Sequence, residues 1–275
     1  MRLRNRGHSP HPRLAVLDHR TEQRWTRLVP DPVPRLGPRL LAHIPPRLHP
    51  ARAHRSGDRL LVLTHTVDYH AWGFLGPALL FDTAPTAPYS LVAELRGERG
   101  AALPGDRGRF VIGLEGYGTF DTWQHGPDGS IEQAWHSFGH YAPDPDGSVR
   151  VLECDRNTPT ESHLVRLHQD GTVERGPALR DGQCSEPVRL PDDTLLFVDG
   201  TTLRAAAPDL GLADLVDLTG LPDPTPSSSH WRFHAELALH GDRLEAALFE
   251  RSAEPPVVHT THRWTFSVLD QPPAA

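Results

Sequence analysis

The residues of this chain that could do chemistry are carboxylates, imidazoles and aromatics placed at the ends of short apolar runs. Glu115 closes RFVIGLE, Glu153 and Asp155 close VRVLECD, Asp199 closes TLLFVD, and His70 follows LLVLTHT. Trp135, His136, His140, Tyr141, Glu186 and Trp231 lie between such runs. Gathered at one mouth, groups of these types can exchange protons with a substrate or hold a cation. The candidate catalytic residues are His140, Asp155 and Glu115. A carboxylate or imidazole would act as general base, with a cation or Arg156 stabilising developing negative charge. Glu115, Asp155, Asn157 and Asp199 form an oxygen-rich set that suits calcium or magnesium. A divalent cation is therefore the one cofactor these residues could hold. His70, Trp72, Tyr117, Trp135, His136, Arg156, Asn157, Glu186 and Trp231 are the candidate binding residues.

Each has a plainer role open to it. Acids at strand ends form turns, Arg156 can pair with Asp155 or Glu153, and a Trp beside Gly, as at Trp72, packs between sheets. His136 and His140 are four residues apart, about 13 Å in an extended strand. They share a ligand only if Gly139 bends the chain. No Gly-x-Ser-x-Gly elbow, His-Glu-x-x-His, phosphate-binding glycine loop or dinucleotide fingerprint occurs. The most polar loop is CDRNTPTESH, from Cys154 to His163, and a second unusual one is TVDYHAWGFLGP, from Thr66 to Pro77.

The elements that must position these residues are short β-rich runs joined by Asp- and Gly-containing turns, with little helical periodicity. PDGSVRVLEC, LVRLHQDGTVERG, VRLPDDTLLFVDG, ALHGDRLEAALF and SGDRLLVLTH are examples. One set of turns falls at Asp58, Asp106, Asp146, Asp192 and Asp242, with gaps of 48, 40, 46 and 50 residues. A second set lies between them at Asp82, Asp128 and Asp170. Two hairpins in each period of about 40–50 residues is the spacing of propeller blades. In these hairpins, over residues 51–269, the chain resembles β-propellers in the broad sense of the NHL, PQQ and WD repeat superfamilies.

The resemblance implies an all-β, single-domain propeller spanning residues 11–275, after a basic tail at 1–10. Five blades fit best, and six if residues 11–50 make a blade of their own. The last run, VVHTTHRWTFSVL, lacks a following strand, and RLAVLDHRTEQRWTRLV could supply it. That pairing would join N- and C-terminal strands in one sheet. A two-sheet sandwich and a β-solenoid are the competing folds. By residue type, the Glu115, Asp155, Asn157 and Asp199 set also resembles the metal centre of propeller lactonases, although the Glu-Gly-Pro start of those enzymes is absent.

Charge is divided unevenly. Residues 1–59 hold 13 Arg against 4 acids, a balance of +9, and residues 60–275 hold 15 Arg against 31 acids, a balance of −16, for a total of −7. The basic arm can fold back on the acidic body or meet an acidic partner. Aromatics do not interleave with the early arginines, so nucleic acid is not the expected partner. The stretch PDPVPRLGPRLLAHIPPRLHP at 30–50 reads as an extended, irregular connection because proline fixes φ and removes a donor. No run of about 18 apolar residues suggests a membrane span. The N-terminus lacks the apolar core of a signal peptide, so the cytoplasm is expected, with Cys154 and Cys184 as buried thiols.

Two functions follow. A ligand- or protein-binding module needs no catalytic motif, and its partner would be a small polar molecule or a protein. The alternative is a metal- or His/carboxylate-dependent hydrolase or lyase acting on a small polar substrate at the propeller mouth.

Overall fold

The structure is a computed structural model. It describes residues 12–22, 36–66, 76–85, 88–105, 107–116, 119–154, 161–180, 184–218, 234–251 and 259–269. The described residues are all-β apart from one helical turn. Strand β1 (Arg13–Glu22) is followed by the turn α1 (Pro38–Leu41) and then by five four-stranded antiparallel sheets. The first holds β2 (Leu48–Ser56), β3 (Arg59–Thr66), β4 (Pro77–Asp82) and β5 (Ser90–Arg96). The second holds β6 (Arg99–Ala102), β7 (Phe110–Gly116), β8 (Thr119–His125) and β9 (Ile131–Trp135). In the third are β10 (Gly139–Pro143), β11 (Val149–Glu153), β12 (His163–Leu167) and β13 (Val173–Ala178). The fourth comprises β14 (Val188–Arg189), β15 (Leu195–Asp199), β16 (Thr202–Ala206) and β17 (Leu212–Asp217). The fifth is β18 (His234–His240), β19 (Arg243–Arg251) and β20 (His259–Leu269), with β1 as its fourth strand. Arg13 lies opposite Leu269 and Glu22 opposite Thr261, so the first and last strands share a sheet. Residues 12–22 thus complete a sheet instead of starting a separate one.

The chain divides into two compact units. Residues 29–184 hold the first three sheets, and residues 1–28 with 185–275 hold the fourth and fifth. The inner strands are continuous apolar runs because both of their faces are covered. Side chains alternate between faces with period two. Leu60 and Val62 of β3 join Leu79 and Phe81 in a cluster under Leu40 and Ile44. Leu61 and Leu63, one residue out of phase, join Leu80, Phe110 and Ile112 between the first and second sheets. Val111 faces the other way, toward Val149, Val151 and Val165 of the third. In the other unit Val198, Leu203, Leu244, Trp264 and Phe266 form the corresponding core.

The recurring aspartates are turn formers. Five hairpins share one loop, at Gly126–Ser130, Asp144–Ser148, His168–Thr172, Leu190–Thr194 and Ala207–Gly211. In each, the first N–H donates to the fifth carbonyl and the fourth N–H donates to the first carbonyl. This is a type I turn followed by a residue with positive φ. That fourth residue is Gly129, Gly147, Gly171, Asp193 or Leu210, with φ between 63 and 89°. The third residue is Asp every time, and its Oδ1 accepts the fifth residue's N–H at 2.9–3.1 Å. Asp128, Asp146 and Asp170 also accept the Ser or Thr hydroxyl at 2.6–2.7 Å. Asp58 and Asp242 sit in two-residue turns after Gly57 and Gly241 instead. Asp106 lies outside the described residues, and the turn at Asp209 was not anticipated from the spacing.

The proline-rich stretch is more regular than its composition implies. Pro38 opens α1, where its missing N–H costs nothing and its fixed φ suits the first helical position. Leu40 and Ile44 are then buried against the first sheet.

Candidate functional site

Within residues 29–184, the second and third sheets end together on a polar cluster. The contributing pieces are the start of β6, strand β8, the connection 136–138, strand β10, the end of β11 and the start of β12. Thr122 and Tyr141 come from inside β8 and β10, and the rest from strand ends or the connection, where backbone pairing stops and side chains take over the remaining donors and acceptors.

The hydrogen bonds run across the boundary between the sheets. The Thr122 hydroxyl donates to the Ser137 carbonyl at 2.6 Å. Its oxygen lies 2.7 Å from the Tyr141 hydroxyl, so Tyr141 is the donor in that pair. Ser137 Oγ donates to Glu153 Oε1 at 3.1 Å, and the His163 backbone N–H donates to Glu153 Oε2 at 3.0 Å. Cys154 N–H donates to the Phe138 carbonyl, and Arg99 Nη1 donates to Cys154 Sγ at 3.3 Å. The Arg99 guanidinium carbon stands 5.1 Å from the centroid of the Phe138 ring, a cation–π arrangement. Phe138 meets Phe120 edge-on at 5.8 Å, and Phe120 meets His136 edge-on at 6.1 Å.

Two glycines make this close approach possible. A Cβ on Gly113 would collide with the Tyr141 hydroxyl and the Phe138 ring, and one on Gly139 would strike the Leu152 carbonyl. Burial pushes the Glu153 carboxyl up from its ordinary value, against the lowering effect of its two donors. Burial also pushes the Tyr141 phenol well up, so it stays neutral. The cluster therefore presents neutral hydroxyls, a thiol, a buried carboxyl and one guanidinium.

Several residues singled out from the sequence fall elsewhere. His70, Trp72, Tyr117, Asp155, Arg156, Asn157 and Trp231 lie outside the described residues. Glu115 is near the end of β7, and His140 on β10 lies opposite Leu152, both at the polar end of their sheets. Trp135 is buried between the second and third sheets, its Nε1–H donating to the His168 carbonyl at 3.2 Å. Its place is in the packing. His136 is exposed, with Nδ1 2.9 Å from Asp121 Oδ1. It belongs to the second sheet's margin while His140 belongs to the third sheet. Glu186 is exposed after Ser185, which donates to its carbonyl. Asp199 is buried at the tight turn into β16 and pairs with Arg204 at 2.6 Å. Arg204 Nε also lies 3.0 Å from Asp214. A carboxylate held in this way is already neutralised by a guanidinium. Among the described residues, no group of three or more His, Cys, Asp or Glu converges to hold a metal ion. Both cysteines are buried, and neither is in a disulfide.

Arg99, Thr122, Ser137 and Cys154 were not among the residues chosen from the sequence. Arg99 opens β6, Ser137 lies in the connection before β10 and Cys154 follows β11, a positional signal, whereas Thr122 lies in the middle of β8.

No family model matches the sequence, and no curated protein matches it. Among solved structures the chain is similar to a luciferin-regenerating enzyme, with TM-score 0.42, 10% identity, and coverage of 75% of this chain and 73% of that one. It is also similar to the β-propeller domain of the Trilobed protease from Pyrococcus furiosus, with TM-score 0.36, 7% identity, and coverage of 78% and 83%. Each of the five sheets is a four-stranded antiparallel unit.

Proposed function

We propose that the five sheets are the blades of one five-bladed propeller domain spanning residues 11–275, and that the domain binds a small polar molecule at the polar end of its second and third sheets. The pairing of β1 with β20 supports the closure. One observation carries the binding reading. Arg99, Thr122, Ser137, Tyr141, Glu153 and Cys154, from four separate stretches of sequence, are linked by hydrogen bonds at one end of two neighbouring sheets. The candidate residues Tyr117, Asp155, Arg156 and Asn157 follow Gly116 and Cys154 in sequence and lie outside the described residues. Binding sites of this kind combine a few placed polar groups with apolar walls, here Phe138 and Phe120. The two buried cysteines, neither in a disulfide, support a reducing compartment, the cytoplasm.

A second reading keeps the hydrolase or lyase. Its specific support is the Asp121–His136 pair, in which the carboxylate holds one imidazole nitrogen at 2.9 Å and leaves the other to act as base. A divalent cation at Glu115, Asp155 and Asn157 belongs to this reading.

The test is equilibrium dialysis of the purified protein against a mixture of small polar metabolites, read by mass spectrometry, with and without EDTA. Retention of a defined compound, unchanged by EDTA, is the outcome expected for the binding module. Retention that EDTA abolishes, or conversion of the compound, moves the account to the enzyme. Retention of nothing overturns both.

A further inference from the structure

Arg99 holds an unusual position for a guanidinium. It is only part-exposed, at the first residue of β6. A guanidinium carries five N–H donors in a planar fork. One of them is used, and its acceptor is a thiol sulfur, which accepts weakly. Glu98 adds attraction from the preceding position, and Phe138 lies under the charge. Among the described residues no carboxylate oxygen comes within 4.0 Å of the guanidinium. Elsewhere in the same molecule the part-buried arginines are matched. Arg150 is forked onto Asp144 through Nε and Nη2, and Arg204 lies between Asp199 and Asp214. Taking a guanidinium out of water without an anionic partner is costly, and proteins keep such costs mostly where function needs them.

We infer that Arg99 is the anchor of an anion site, and that the small polar ligand carries a planar carboxylate, which the free edge of the guanidinium takes as a bidentate pair. This rests on the binding reading above and names its ligand class. The fork matches two carboxylate oxygens, and the ring of Phe138 fixes its plane. Tyr141 and the buried Thr122 lie nearby, bonded to each other, with Thr122 also bonded to the Ser137 carbonyl, so the fork of Arg99 is the group left to meet the ligand. A tetrahedral oxyanion such as phosphate offers the same charge without the planar match.

The experiment is an NMR titration of the full chain with sodium acetate, with inorganic phosphate, and with sodium chloride at matched ionic strength. It follows the side-chain Nε–H resonance of Arg99, assigned by its loss in Arg99→Gln. The expected result is a saturable shift with acetate, a weaker one with phosphate and none with chloride. Arg99→Gln should weaken acetate binding about tenfold or more, and Arg99→Lys should do so less, since a point charge keeps attraction without the fork. Arg99→Met separates ligand binding from a structural role. It keeps contact with Phe138 and removes the unmatched charge, so its thermal midpoint should equal or exceed that of the parent while acetate binding is lost. A strongly lowered midpoint in Arg99→Met would make Arg99 structural and overturn the inference. So would a linear shift identical to that from chloride. If phosphate saturates and acetate does not, the planar carboxylate is overturned. A metabolite retained by the parent and equally by Arg99→Gln would leave the binding reading standing and remove the anion site. Retention of nothing, with no saturable acetate shift, removes both.

Discussion

Glu153 shows how one buried group ties the polar end together and sets a pH dependence. Its carboxyl receives Ser137 from the connection before β10 and the His163 amide from β12. Burial raises its folded-state value above the ordinary 4.5. A raised acid binds a proton more tightly when folded. Its contribution is therefore full below the unfolded value and is lost as pH rises through the folded one. Glu153→Gln mimics the protonated form. The stability of the variant relative to the parent should rise between about pH 4 and pH 7, read by urea midpoints across that range. A pH-independent difference would contradict the assignment. His125 works in the opposite sense. Burial lowers its value below 6.5 while Nδ1 bonds the Gly129 carbonyl. Its contribution is present above that range and lost as pH falls through the folded value, so His125→Gln should lessen the loss of thermal stability on acidification toward pH 5.

Turns are where the elements are decided. In the loop Asp144–Ser148, the Asp146 carboxylate bonds both the amide and the hydroxyl of Ser148, and these bonds hold its carboxyl below the usual range. The stability this adds is present above about pH 4 and lost as pH falls through the lowered value. Asp146→Ala should cost about 1 kcal/mol at pH 7, measured by urea denaturation, and the difference should shrink on acidification. Leu210 tests a competition in the equivalent loop. Its φ of 67° is strained by about 1 kcal/mol for a residue with a Cβ. Yet its side chain is 3% exposed, a burial worth about 1.5–3 kcal/mol. Burial wins, so Leu210→Gly should lower stability although it relieves the backbone. A more stable variant would show that the backbone strain dominates.

These turns also explain how far the fold could be read. Asp-Gly followed by Ser or Thr marks a turn at 128, 146 and 170 because Gly relaxes the positive φ and Asp fills the loop. The turn at Asp209 has Leu in the glycine position, so burial had replaced the local signal. The continuous apolar runs located β3, β7, β11, β15 and β19, since a strand covered on both faces has no polar alternation to hide it. Helix α1 was hidden because proline-rich composition signals irregularity unless one proline happens to open a helix. The site was less legible. Strand-end position put Glu115 and His140 at the polar end but could not separate Asp199, whose Arg204 partner comes from the next strand. Nor could it single out Arg99, whose guanidinium has no carboxylate oxygen within 4.0 Å among the described residues, a property of packing and not of spacing.

At the scale of the whole molecule, the first and last strands meet. Strand β1 pairs with β20 over nine residue pairs, and His19 stacks on Trp264 with centroids 5.0 Å apart. Cross-strand pairs are worth about 0.2–1 kcal/mol each, so removal of residues 1–22 should cost on the order of 4 kcal/mol. It would also bare the edge of β20. A truncated chain should melt well below the parent and associate in sedimentation. An unchanged melt would show that the fifth sheet does not need its N-terminal strand.

The central claim is that a small polar ligand enters where the second and third sheets end. The most direct measurement is an amide NMR map of the compound retained in dialysis, titrated into the isotope-labelled full chain. The account predicts shifts gathered at Arg99, Gly113–Glu115, Thr122, Ser137–Tyr141, Glu153, Cys154 and His163. Shifts gathered at the opposite ends of these strands, around the turns at Asp128, Asp146 and Asp170, would contradict it.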